Sequence, residues 1–134
     1  MNITQLLQQY KDNNFSWGTM DCCVFAGELA EKINEKPLHL ENWRDFLDYS
    51  NMEESKKTIK ELGGKKMKDL PSIILGTPIK NISEVKHGDI VYSEDENGDG
   101  MLGVCNGVRA YFMAKGKGIT ARPVTECISC WSIN

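Results

Sequence analysis

The hydrophobic pattern changes period once along this chain, near Pro78, and that change limits the folds open to it. Before Pro78, apolar residues recur at helical spacing: Ile3, Leu6, Leu7 and Tyr10, then Val24, Phe25, Leu29 and Ile33. After it, short alternating runs are divided by turn residues, as in Glu94-Asp-Glu-Asn-Gly-Asp-Gly100, Asn106-Gly107 and Lys115-Gly-Lys-Gly118. Helices followed by hairpin-linked strands read as an α+β fold: N-terminal helices packed on a C-terminal antiparallel sheet of about five strands. At 134 residues and with no linker or low-complexity stretch, residues 1–134 form a single domain with a core of its own.

The helical half divides at its punctuation. Residues 3–12 form a short amphipathic helix that Asn13-Asn14 ends. Asp21 to Asn34 is the main helix, and Lys36-Pro37 opens a loop. Glu41 to Tyr49 reads as helix with Trp43, Phe46 and Leu47 on its apolar face. Met52 to Leu62 is a polar helix closed by Gly63-Gly64. A last short helix over 66–75 breaks at Pro71. In the second half, strands run from Val85 through Ser93, over 101–105, 108–113 and 119–124, and over 128–133. Asn106-Gly107 is a two-residue hairpin signal.

The net charge of −3, from 16 basic and 19 acidic residues, gives no basic surface for nucleic acid. The runs Lys56-Lys57 and Lys65-Lys66 have acidic neighbours and read as solvated helix faces. No apolar run is long enough to span a membrane. The first ten residues lack a basic start and a long apolar stretch, so no signal peptide is expected and the expected location is cytoplasmic. Five cysteines, an odd number in a chain without an export signal, are expected as free thiols.

Chemistry concentrates at Phe15-Ser-Trp17-Gly-Thr-Met-Asp21-Cys22-Cys23. Asp21 is a helix N-cap residue, which puts both cysteines in the first turn, where the helix dipole favours thiolate. Cys22 there is either a nucleophile or a small buried apolar residue. Cys23, one residue on, points elsewhere and packs in the core. Trp17 can wall a cleft beside Cys22. His87 is the imidazole nearest a strand end, either a base for Cys22 or a surface histidine, and Asp89 either orients it or caps a turn. His39 falls in a loop and is expected at the surface.

No metal and no cofactor is expected. Cys127 and Cys130, with Cys22 and Cys23, would make four thiolates. Adjacent cysteines suit zinc poorly, and residues three apart on a strand point to opposite faces. Asp95 to Gly100 copies the start of a calcium-binding loop, but its twelfth position is Asn106 and its flanks are strands, so a tight acidic turn is expected.

Taken together, Trp17-Gly18, Asp21-Cys22-Cys23, Phe25-Ala26, Gly63-Gly64, Gly88-Asp89-Ile90-Val91, Leu102-Gly103-Val104-Cys105-Asn106-Gly107 and Trp131 cover most of the chain. In that order they resemble the NlpC/P60 cysteine peptidases, and more closely a group of small phage-encoded NlpC/P60-like proteins. The resemblance implies a papain-like fold with Cys22 as thiolate nucleophile. It implies a cysteine amidase or endopeptidase acting on cell-wall peptides, in the host cytoplasm or packaged in a virion. The family's histidine precedes the strand motif Val-Gly-Ile, and this chain carries Met101 there. Methionine takes no proton at neutral pH. That leaves His87 as a relocated base or, alternatively, a catalytically inactive papain-fold binding or structural module. Its cleft, with Trp17, Asp21, Cys23 and Met101, would then hold a partner from a phage particle or the host. Neither reading involves nucleic acid or membrane.

Overall fold

A computed structural model describes residues 3–12, 15–16, 20–36, 38, 49–65, 69–79, 81–114 and 116–133. Trp17, His39 and, apart from Tyr49, the helix expected at Glu41–Tyr49 lie outside the described residues. Within them, four α-helices precede an antiparallel sheet of five strands: α1 (Ile3–Gln8), α2 (Cys22–Asn34), α3 (Met52–Glu61), α4 (Asp69–Leu75), β1 (Ile90–Glu94), β2 (Gly100–Cys105), β3 (Arg109–Ala114), β4 (Gly118–Pro123) and β5 (Ser129–Trp131). The α+β expectation holds.

Local chemistry sets the helix ends. Asp21 caps α2, its Oδ1 accepting from the Val24 N–H at 2.9 Å. At the other end Glu35 takes a left-handed conformation (φ 53°) before Lys36-Pro37. Asn51 caps α3 through the Glu54 N–H at 2.9 Å, and the Glu54 carboxylate accepts from the Ser50 N–H at 2.7 Å. Gly63 (φ 95°) stops that helix. Pro71 does not break α4. It is the third residue of the helix, inside the first turn, where a missing N–H costs nothing.

The strand order is β4-β3-β2-β1-β5. β1 to β4 form a meander, and the chain then crosses by a 3-10 turn (Val124–Glu126) to lay β5 on the free side of β1. The first strand starts at Ile90, later than expected, because Ile82–Glu84 forms a 3-10 turn and Lys86–Asp89 a tight turn. In the hairpin after β2, Asn106 faces Arg109 (N–H to O, 2.9 Å), so the two central residues are Gly107 (φ 96°) and Val108.

The sheet separates two apolar layers. α2 lies across β2 and β3, and its buried face (Phe25, Ala26, Leu29, Ala30) meets Ile90, Tyr92, Leu102, Val104 and Met113. Tyr10, in the turn after α1, packs on α2, its ring edge-on to Phe25 at 5.2 Å. The other sheet face holds Val91, Met101, Cys105, Phe112 and Cys130, covered by Ile79, Ile82, Val85 and Val124. Arg122 of β4 donates to Ser93 Oγ and Glu94 O of β1, both at 2.9 Å. In a flat sheet three strand spacings, about 14 Å, would separate those strands. The sheet is therefore strongly curled around this second layer.

Candidate functional site

The start of α2 is the candidate site. Asp21 is 1% exposed, and Cys22 and Cys23 are buried beside it. A fourth group joins them from outside the motif: the Tyr49 phenol, buried and hydrogen-bonded with Asp21 and Cys23. Burial and the surrounding acids push the Tyr49 phenol above its ordinary value, so it stays protonated. A hydrogen bond with Cys22, then burial, push the Cys23 thiol well above its ordinary value. Cys23 thus packs in the core, as expected for the second cysteine. Beside it lies a void of about 20 Å³ lined by Ala26, Leu70, Ile90 and Leu102, about the size of one water. This corner supplies hydrogen bonds and apolar surface, and among the described residues it holds no histidine.

The other named residues do not join it. Asn34, the last residue of α2, donates to the Gly88 carbonyl at 3.1 Å, so His87 sits beside the C-terminal end of α2 and is exposed. Thirteen helical residues at about 1.5 Å of rise each put Cys22 about 18 Å from that end. The expectation of His87 as a base for Cys22 is therefore corrected. Asp89 sits at the same distant end, almost fully buried, and caps its turn by accepting the Lys86 N–H on Oδ2 at 2.8 Å. Its Oδ1 has no partner, and burial raises its carboxyl above the ordinary range. Asp89 neighbours Cys105 and Cys130, not Cys22.

Met101 is also corrected. It packs with Val91 and Phe112 on the sheet face away from α2, while its neighbour Leu102 faces the helix. The cleft expected from Trp17, Asp21, Cys23 and Met101 therefore does not include Met101. Trp17 lies outside the described residues.

Cys105, Cys127 and Cys130 all lie in the second layer. Cys127 and Cys130 share that layer, contrary to the alternation argument, because Cys127 closes the 3-10 turn and precedes the strand. Burial pushes the Cys127 and Cys130 thiols up to about 11. The sheet separates these three thiols from Cys22 and Cys23. At Asp95, Oδ1 accepts from the Asn97 and Asp99 N–H groups at 2.9 and 3.0 Å, a self-capped acidic turn.

Two features escaped the sequence reading. Tyr49 follows no recognisable signal; it is one aromatic residue ahead of the α3 cap. The other is a cavity of about 660 Å³ between the end of α1 and the β3–β4 turn, lined by Leu7, Lys11, Phe15, Lys117 and Ile119. β3 runs antiparallel to β2, so that turn lies at the same end of the sheet as the start of β2. It is the end toward which α2 presents Cys22, since the far end of α2 meets Gly88 and the end of β2.

Neither a curated protein nor a solved structure matches the chain. Residues 1–133 match a family model described as a domain of unknown function, DUF6950, and the chain belongs to that family.

Proposed function

We propose that this chain is a papain-like, NlpC/P60-type module that binds a peptide or protein partner rather than cleaving one. The observation carrying this reading is the company Cys22 keeps: a capping carboxylate, a thiol pushed upward and a protonated phenol, all buried. A nucleophilic cysteine needs an adjacent base or a lowered pKa. His87, the candidate for a relocated base, sits a helix length away. A helix packed across an antiparallel sheet agrees with the papain-like expectation. The phage setting rests on the resemblance alone.

The hydrolase reading keeps one support, the position of Cys22 as first residue of a capped helix, where the dipole favours an anion. Alkylation with iodoacetamide at pH 6 separates the two. The binding reading expects all five cysteines to react slowly in the folded protein. Cys22 reacting a hundredfold faster than Cys105 would overturn it. If His39→Ala then removed that rate, the base would be His39.

A further inference from the structure

The two edges of the sheet are finished differently. β5 has only three residues, and the Ile79 N–H donates to its Cys130 carbonyl at 2.8 Å, covering its outer side. β4 has six residues, and among the described residues its strand partners are all in β3. Exposed edges are ordinarily blunted by charge or proline. In β4, Gly118-Ile-Thr-Ala121 has neither; Arg122 turns its guanidinium toward β1, and Pro123 comes only at the end. Such an edge is a template for an added strand.

The cavity of about 660 Å³ begins where this edge begins. Its walls carry apolar groups from Leu7, Phe15 and Ile119 and two cationic side chains, Lys11 and Lys117. Lys117 lies 3.4 Å from Glu96, but both side chains are largely exposed, and such a pair is readily exchanged for another carboxylate. An open edge that runs into an apolar, lysine-flanked hollow suits a strand with an apolar last side chain and a negative end.

We propose that the β4 edge and this cavity form a docking site for an extended peptide ending in an apolar residue with a free α-carboxylate. The peptide backbone adds to Gly118–Ala121, its last side chain enters the hollow, and its carboxylate lies between Lys11 and Lys117. This names the ligand class of the binding module proposed above and rests on that reading.

The test uses the full chain and a fluorescein-labelled peptide, Ser-Thr-Val-Thr-Val-Leu, as free acid and as C-terminal amide, followed by anisotropy. The free acid should bind saturably, and the amide about tenfold more weakly or worse, since charge-assisted hydrogen bonds are lost. Lys11→Glu and Lys117→Glu, both at exposed positions, should weaken the free acid and leave the amide unchanged. N-methylation of alternate peptide bonds in the ligand should abolish binding, and the free acid should slow amide exchange at residues 118–121. Equal binding of acid and amide, or no binding at about 1 mM, would overturn the site. Exchange at 118–121 that slows with protein concentration alone would give the edge to a second copy and also overturn it. Fast alkylation of Cys22 would remove the binding-module reading, whereas loss of peptide binding with slow alkylation would remove this site alone.

Discussion

Replacing Gly103 by alanine tests whether the second apolar layer is packed as described. Gly103 faces Phe112 across the β2–β3 pair. A Cβ built there would lie 2.6 and 2.8 Å from two Phe112 ring carbons and would also strike the Tyr111 carbonyl oxygen. The ring can shift, but the carbonyl belongs to the β3 backbone and moves only with the strand. Overpacking of this kind costs about 3 kcal/mol, the upper part of its usual range. With about 2.1 cal/mol/K of unfolding entropy per residue, 134 residues give about 0.28 kcal/mol/K, so the expected fall in Tm is about 11 °C. Differential scanning calorimetry of wild type, Gly103→Ala and Gly76→Ala provides the comparison. At Gly76 nothing lies within 4 Å, so alanine there meets only the left-handed backbone (φ 92°) and should cost about 1 kcal/mol. Phe112→Leu added to Gly103→Ala should recover part of the loss, because the carbonyl contact remains. A Gly103→Ala protein that melts within about 3 °C of wild type, or above Gly76→Ala, would refute this packing.

The partnerless Oδ1 of Asp89 makes the folded state prefer the protonated acid. Its folded pKa is raised above the unfolded one, so its contribution is fully present below about pH 4 and is lost as pH rises through the raised value. In urea titrations from pH 4 to 7, wild type should lose stability relative to Asp89→Asn as pH rises; a constant difference would refute the assignment. Tyr49→Phe removes a phenol bonded to Asp21 and Cys23 and should cost about 1–2 kcal/mol by urea unfolding. An unchanged midpoint would mean that the phenol makes no such bonds. Arg122→Ala should cost about 1.5 kcal/mol, and Arg122→Lys should recover less than half of it, because a compact ammonium does not reproduce a planar guanidinium that meets Ser93 and Glu94 through Nη1 while lying 5.7 Å from the Phe112 ring. Full recovery by lysine would show that charge alone is needed.

What the sequence disclosed was what neighbouring residues decide among themselves. Asp21 and Asn51 announce their helices because a cap bonds three residues away. Strand alternation puts Met101 and Cys105 on one face of β2 and Leu102 and Val104 on the other. Which face meets α2 depends on packing across the whole sheet, and there the motif-based expectation for Met101 failed. His87 failed for a similar reason. A motif gives order along the chain, while the length of α2 fixes distance. Tyr49 reaches the Cys22 corner through tertiary structure that no local pattern encodes. Pro71 was misread because position within a helix, not presence, decides what proline does.

The division of the thiols by the sheet makes the chain its own stopwatch. Cys22 and Cys23 belong to α2 and the layer it covers, and Cys105, Cys127 and Cys130 belong to the layer that the two 3-10 turns cover. A thiol reagent in excess would therefore time the opening of each layer separately. Two distinct modification rates would mean that the helical cover lifts without disturbing the far side of the sheet. One shared rate would mean that the sheet transmits every opening, and that both layers come apart as a unit.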